Sequence, residues 1–586
     1  MASQALRERD HRHDRLTDSS PARDLGPRGS RAPLGHADPA GDPGAGAREI
    51  LAAIPRWWAE LADIYGLSDR WLSPERAFDG LPAAPAIDGA DLAGTLPEDL
   101  GALYSGALSD ETRSRHGRHY TPPDLARALW ASATGSSAGP RNHCVPLPGL
   151  VRDPACGAGA LLLPPLRQHL ASLSEADPRI TLAGLPRFIE GIDTDPAAVW
   201  IANVVLASEL LPLLARIEPS RRRPLPRLAR VGDGLSAELG PARVVVMNPP
   251  YGRVRLDEEE RTRWSRYLYG HANLYSMFLG AGLESLDHEG ALAAVVPTSF
   301  LAGRYFSSLR YELAKNAPLR SLTFVEDRSG VFAGVLQETC LAVFARTRSR
   351  RTSISSANGR VSPVAKVSSP RGEKPWILPR RTDDAHVAAA AATMPQRLGA
   401  AGWKVSTGPL VWNRRRSDLS SRRKGSSAPV IWAADLDGGQ LHRDAAREAL
   451  RWIDLSERDE DFLVLHEPAI LVQRTTSPEQ GRRLVCVELT PKLLIQWGGR
   501  VVVENHVNVI RPRLGTKQGC SLETLAALLT TRTFDRLVRC IAGSVAVSAY
   551  ELEALPLPDA TTLSGWDSLR GEKLESAVAN VYAPNR

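Results

Sequence analysis

Apolar side chains recur at helical spacing through Ile50, Leu51, Ile54, Trp57, Trp58, Leu61 and Ile64, which predicts an amphipathic helix opening a helical region over 49–116. From about residue 117 the pattern changes. Short apolar runs at Phe188–Ile192, Arg243–Met247, Ala291–Val296, Ser321–Val325 and Cys340–Phe344 alternate with longer helical segments such as Ala197–Leu214 and Leu274–Leu286. This alternation predicts an α/β domain over 117–346, with a mostly parallel sheet covered on both faces. Residues 347–374 are rich in Ser and Arg and poor in large apolar side chains, which predicts a flexible linker. A separate α+β region over 375–586 carries β-type runs at Val430–Trp432, Ala469–Gln473 and Val501–Val503. Residues 1–48 are almost empty of aromatic and β-branched side chains, so a disordered tail is expected.

Composition narrows the class. At 586 residues the chain exceeds one ordinary core, and 43% hydrophobic content suits packed domains. No apolar run reaches about 18 residues, so no transmembrane helix is expected. Met1 to Asp24 lacks the apolar stretch of a signal peptide. Six cysteines without a Cys-x-x-Cys pair argue against a zinc site or a disulfide framework and for a reducing cytoplasm. A net charge of +7 permits a nucleic-acid partner without demanding one. The first lysine is Lys315, so every earlier cationic side chain of the Lys/Arg pair is arginine, a bias that base composition of the gene also explains.

Candidate chemistry begins at Asp153-Pro154-Ala155-Cys156-Gly157-Ala158-Gly159, which reads as a strand end, a tight glycine turn and a helix start. Such a loop lets backbone close around a ligand at the carboxyl end of a strand; the alternative is a plain turn. Further on, Asp193 in Ile192-Asp193-Thr194-Asp195-Pro196 ends the next strand with a carboxylate able to accept ribose hydroxyls. Asp195, directly before a proline, fits a helix N-cap better. Asp233 closes a further predicted strand, and the three acids together point to an adenosyl ligand. No Gly-x-x-x-x-Gly-Lys sequence occurs, which disfavours ATP.

Asn248-Pro249-Pro250-Tyr251 follows the apolar run Val244–Met247. An exocyclic amine on a purine is a poor nucleophile because its lone pair is delocalised into the ring. Acceptors aimed at its two hydrogens, the Asn248 side-chain carbonyl and the Pro249 main-chain carbonyl, favour the nucleophilic form. Proline stiffens the turn, and Tyr251 offers a face for a planar base. The alternative is a Pro-Pro turn under a tyrosine.

Taken together, these motifs resemble the class I methyltransferase fold, and specifically the gamma-class (TaqI-type) adenine-N6 DNA methyltransferases of type II restriction-modification systems. The resemblance covers roughly 117–346. It implies that Tyr120, Thr121 and Pro122 touch the methionine part of S-adenosyl-L-methionine, and that Asp153, Ala155, Gly157, Gly159, Asp193, Asp233 and Phe278 bind the same cofactor. Asn248, Pro249, Pro250 and Tyr251 become the catalytic tetrad. Phe332, in Gly330-Val331-Phe332, stands where the family keeps a second base-stacking aromatic, with Phe306 as the nearby rival and a core role as the alternative for both Phe332 and Phe278. Asn273–Phe278 and Val296–Thr298 also match family landmarks. The layout is similar to modification enzymes of the SalI and XhoI type, which implies a palindromic hexamer with a TCGA core. A flipped adenine costs a few kcal/mol to extrude, and aromatic stacking returns about 1–3 kcal/mol per contact.

The C-terminal region holds the densest basic clusters, Arg414-Arg415-Arg416 after Trp412 and Arg422-Arg423-Lys424, with Gln473-Arg474 at a strand end and Arg482-Arg483 beyond. Arg414, Arg415, Arg422, Arg423, Gln473 and Arg474 are therefore expected to contact double-stranded DNA, since arginine and glutamine pair with base edges; solvated loops are the alternative for each. Glu504-Asn505-His506 reads as a turn cap. Residues 543–558 resemble the recognition domains of this methylase group. A bacterial cytoplasmic monomer that shares its site with a cognate endonuclease follows from the resemblance, with no membrane role. Three other readings stand beside it: a fused nuclease, disfavoured because the first 314 residues hold no lysine; methylation of RNA or of a protein glutamine; and a non-catalytic DNA-binding protein on a methylase scaffold.

Overall fold

The computed structural model describes residues 44–109, 120–135, 145–236, 239–326, 338–347, 349–437, 439–444, 446–476, 480–541 and 546–583. Contacts divide these into two units: one of residues up to Phe300 joined by Tyr305–Glu373, the other of Leu301–Arg304 with the residues from Lys374 onward.

The first unit is built on a sheet to which the described residues contribute nine strands: β1 (Val151–Asp153), β2 (Ile189–Asp193), β3 (Ala229–Val231), β4 (Ala242–Met247), β7 (Leu286–Pro297), β8 (Leu319–Val325), β9 (Thr339–Ala345), β10 (Arg351–Asn358) and β11 (Arg360–Ser368). A two-stranded ladder of β5 (Arg253–Val254) and β6 (Ala272–Asn273) lies in the connection between β4 and β7. The order is β11-β10-β8-β9-β7-β4-β1-β2-β3. The run β7-β4-β1-β2-β3 is parallel throughout, and β9 enters antiparallel between β7 and β8. The expected α/β architecture is thus present, and it has the topology that opens a crevice: from β1 the chain crosses to β2 on one side and later to β4 on the other.

Helices cover the sheet. We label α1 (Ala45–Ile64), α2 (Pro97–Ala107), α3 (Pro123–Thr134), α4 (Leu163–Ser172), α5 (Pro196–Ser208) and α6 (Leu274–Glu284). Helix α1 buries Ile50, Leu51, Ile54, Trp57 and Trp58 as its spacing predicts, but Ile64 is 75% exposed at its end. Asp195 caps α5 by accepting the Ala197 N–H at 3.0 Å, with Pro196 in the first turn, as the sequence reading of Asp195 required.

Three expectations need correction. Ala45 to Arg48, assigned to the tail, already belong to α1, where Ala47 is fully buried. The single helix expected over 197–214 is two, Pro196–Ser208 and Leu211–Ala215, because Pro212 has no N–H to continue the ladder and falls in the first turn of the second segment. The expected linker is largely a β-hairpin, β10 and β11, turning at Asn358-Gly359 with Gly359 at φ +66°. Its strand β10 pairs parallel with β8, buries Thr352 and Ile354, and spends the Thr352 hydroxyl on the Leu319 carbonyl at 2.7 Å. Small hydroxyl side chains satisfied in this way give no hydropathy signal. A bulge falls between Ile354 and Ser355, opposite Pro363.

In the second unit the described residues form a four-stranded sheet (Trp403–Thr407, Val507–Pro512, Ala469–Gln473, Cys486–Leu489) with helices that include Leu522–Leu529, Arg532–Ile541 and Gly571–Val581. Five shorter strands among the described residues, Ala428–Ile431 and Val501–Val503 included, form a further sheet. The Ala469–Gln473 and Val501–Val503 runs stand where the pattern put them. Among the described residues no helix is long and apolar enough to cross a membrane.

Candidate active site

The carboxyl ends of β1, β2, β3 and β4 open on one cleft, with about 960 Å³ of space between its walls, counting the mouth. Asp153 ends β1 and is 1% exposed; its carboxylate accepts the Ala155 N–H at 3.0 Å and draws the glycine loop into a turn. Burial pushes this carboxyl up to about 8; the Ala155 hydrogen bond opposes the rise and the Asp193 charge adds to it. Asp193 ends β2, and both its oxygens are held: Oδ2 accepts the Gly157 N–H at 2.8 Å and Oδ1 the Asp195 N–H at 2.9 Å. Gly157 has φ +49°, and a Cβ there would stand in open space of the cleft it lines. Gly234, after β3, approaches the loop so closely that a Cβ would lie 1.8 Å from the Pro154 carbonyl oxygen.

Asn248 leaves β4 and lines the same cleft. Its Nδ2 donates to Thr121 Oγ1 at 3.0 Å, and the Tyr251 hydroxyl lies 3.0 Å from its Oδ1 and 3.1 Å from the Val295 carbonyl oxygen. Burial pushes the Tyr251 phenol up, so it remains a donor at neutral pH. Its ring meets Tyr275 edge-on at 6.1 Å, and Tyr275 stacks on Phe306 at 4.9 Å. Tyr275 belongs to α6, whose start is capped by Asn273.

Of the residues singled out from sequence, Tyr120, Thr121, Asp153, Ala155, Gly157, Asp193, Asn248, Pro250 and Phe278 line the cleft. Pro122 stands beside it as the residue preceding α3. Gly159 faces away: a Cβ there would touch Ala202 of α5 at 3.4 Å, so it serves helix packing. The Asp233 side chain is exposed and accepts the Leu235 N–H at 2.9 Å, while its neighbours Gly232 and Gly234 form the wall. Pro249 is buried and, like Tyr251, is absent from the lining. Phe306 is 8% exposed with one side given to Tyr275, a packing role. Phe332 lies outside the described residues.

Sequence reasoning missed Tyr104, Ser105 and Leu108, which bring α2 and the residue after it into the wall. Tyr104 donates to Asp195 Oδ2 at 3.0 Å across 91 positions of chain. It lies within the helical region over 49–116, and no local signal marked it.

The lining holds three acidic side chains, Asp153, Asp193 and Asp195, of which buried Asp153 is largely protonated at neutral pH, and no Lys, Arg or His among the described residues. Such a wall disfavours phosphates and favours a nucleoside carrying positive charge. The open space beyond Gly157, the fixed Asp193 carboxylate and the flat Phe278 side chain fit an adenosyl group with a cationic tail.

In the second unit the basic residues divide. Arg414, Arg422 and Arg423 are exposed, with Arg423 5.6 Å over the Trp452 ring. Arg415 is committed elsewhere: its guanidinium pairs with both oxygens of Asp459 at 2.8 and 3.0 Å and with Asp418. That guanidinium holds the Asp459 carboxyl well below the usual range. The Arg474 guanidinium donates to the Asn505 carbonyl oxygen at 3.3 Å, and Gln473 is half-buried at its strand end. Glu504, 1% exposed, accepts the His506 N–H at 3.0 Å and closes the turn before Val507–Pro512.

Residues 242–332 match the family model described as Eco57I restriction-modification methylase. The chain is 24% identical over 327 residues to the type II methyltransferase M.BsuBI of Bacillus subtilis, covering 53% of this chain and 64% of that protein. It is likewise 24% identical over 328 residues to the type II methyltransferase M.PstI of Providencia stuartii, with the same coverage. The chain thus spans under two thirds of the length of these curated relatives. Among solved structures, the type IIL restriction-modification enzyme MmeI in complex with DNA superposes with a TM-score of 0.50 at 13% identity, covering 92% of this chain and 89% of that one. The likeness is one of fold: an α/β unit on a large, mostly parallel sheet with an additional C-terminal domain.

Proposed function

We propose that this chain is a site-specific DNA methyltransferase that uses S-adenosyl-L-methionine to methylate the exocyclic amine of adenine, the modification partner of a type II restriction endonuclease. One observation carries the reading: Asn248, anchored by Thr121 and Tyr251, opens on the same acid-lined cleft as the glycine loop. The named relatives support the class of reaction, since both are type II methyltransferases.

Asp193, Gly157, Ala155, Phe278 and the wall from Tyr120 and Thr121 would hold the cofactor. When bound, it supplies a methyl group activated by a positively charged sulfur. The chain's own residues orient and polarise the acceptor. Asn248 Oδ1 accepts a hydrogen bond from one N–H of the amine and the Pro249 carbonyl oxygen one from the other, which localises the nitrogen lone pair toward the methyl donor. A carboxamide oxygen can accept twice, so the Tyr251 bond does not exhaust Oδ1. Tyr251 gives the extruded base a ring to stack on, and the exposed arginines 414, 422 and 423 position the duplex through its phosphates.

Tritiated methyl transfer into duplex DNA, RNA and glutamine peptides, followed by nucleoside analysis, tests the proposal. N6-methyladenine in DNA, abolished by Asn248→Ala, is expected. Label on cytosine, on RNA or on peptide alone would refute it. Long-read sequencing of host DNA then reads the target, which the sequence resemblance proposes to be a palindromic hexamer around TCGA.

A further inference from the structure

The geometry points to a second task for Thr121: it is a positioning residue that holds the Asn248 carboxamide in its working orientation. The inference rests on the methyl-transfer reading above. The Tyr251 hydroxyl is one tie on that amide. It has one proton and faces two acceptors, Asn248 Oδ1 at 3.0 Å and the Val295 carbonyl at 3.1 Å, so the proton is shared. A carboxamide anchored at one end turns about its last torsion, a broad and soft one. The other end is tied to Thr121, whose Oγ1 accepts from Asn248 Nδ2 at 3.0 Å.

Thr121 suits the task. It is 4% exposed, β-branched and therefore stiff, and it stands two residues before α3, whose apolar face is buried. It comes from a segment 127 positions upstream of Asn248, so the tie also joins the start of the domain to the end of β4. With both ends held, Oδ1 stays where an amine proton can meet it, and no reorientation is needed during reaction. Because Thr121 lines the cleft as well, its contribution to cofactor binding must be separated from its contribution to Asn248.

Thr121→Val keeps the side-chain shape and removes the hydroxyl; Thr121→Ser keeps the hydroxyl. On the full chain, methyl transfer into unmethylated phage DNA is measured at saturating S-adenosyl-L-methionine and DNA, and cofactor affinity is measured by calorimetry. Thr121→Val should lower kcat about tenfold even when cofactor is saturating, whatever its effect on cofactor Kd, and Thr121→Ser should recover most of kcat. The inference is overturned if Thr121→Val keeps kcat within about twofold, if Thr121→Ser is equally slow, or if saturating cofactor cures the defect. A parent chain that binds cofactor yet methylates nothing would instead refute the proposed function. The crystal structure of Thr121→Val then decides the positioning role: a displaced Asn248 amide upholds it, and an unmoved one overturns it.

Discussion

A methyl group added at Gly234 would land 1.8 Å from the Pro154 carbonyl oxygen, 2.7 Å from the Pro154 carbonyl carbon and 2.9 Å from the Pro154 Cβ. Two of these three are backbone atoms that cannot rotate away. Ordinary contact lies near 3.5 Å, so Gly234→Ala must separate the loops after β1 and β3 by roughly 1.5 Å. Overpacking of this kind costs about 3 kcal/mol, and at about 2–4 °C per kcal/mol for a domain of this size the melting temperature falls by roughly 6–12 °C. The displaced loop carries Asp153 and Gly157, and misplacement by about 1 Å costs on the order of 100-fold in rate. Gly157→Ala is the control. Its methyl meets no atom within 4 Å, so it incurs only the cost of φ +49°, about 1–2 kcal/mol, while intruding on the cleft. Scanning calorimetry with and without S-adenosyl-L-methionine should show Gly234→Ala losing both stability and ligand, and Gly157→Ala losing mainly ligand. A Gly234→Ala protein that melts with the parent and binds the cofactor equally well would refute the reasoning.

Asp153 gives a pH prediction. Its carboxyl titrates near 8 when folded, against an ordinary 3.8, so the unfolded chain gives up the proton first; the contribution is fully present below about pH 4 and is lost as pH rises through 8. Melting temperatures between pH 5 and 8 should therefore fall less steeply for Asp153→Asn than for the parent. Arg415→Ala should destabilise the second unit by about 1–2 kcal/mol in urea melts, because it leaves the mostly buried Asp459 with its Ser456 bonds and no cationic partner. Exposed Arg422→Ala should leave stability unchanged and reduce the salt dependence of DNA affinity, measured by anisotropy, by about one unit of slope. Tyr251→Phe keeps the ring and loses the tie to Asn248; steady-state rates should show kcat reduced about three- to tenfold with DNA affinity retained.

Much of the first unit was legible because its candidate chemistry sits at strand ends. Asp153, Asp193 and Asn248 each close an apolar run whose edges the hydropathy pattern marks, and the parallel topology then brings them to one crevice. What escaped depended on partners distant in sequence or on backbone geometry. Tyr104 enters the wall only because α2 packs against α5, and Gly159 turns to Ala202 because the loop's direction decides which glycine meets the cleft. Arg415 looked like its neighbours until Asp459, 44 residues away, claimed it. The hairpin of β10 and β11 announced itself only at Asn358-Gly359, a turn signal outweighed by the polar character of its strands.

That hairpin also bears on how the protein behaves in a crowded solution. Strand β11 forms the outer rim of the sheet, nine residues long and mostly exposed, the kind of border onto which another chain could add a strand. Pro363 interrupts its row of donors, the bulge at Ile354/Ser355 twists it, and Arg360 and Lys366 place charge along it. The rim that closes the sheet is thereby made a poor template, which protects the folded chain against edge-to-edge aggregation.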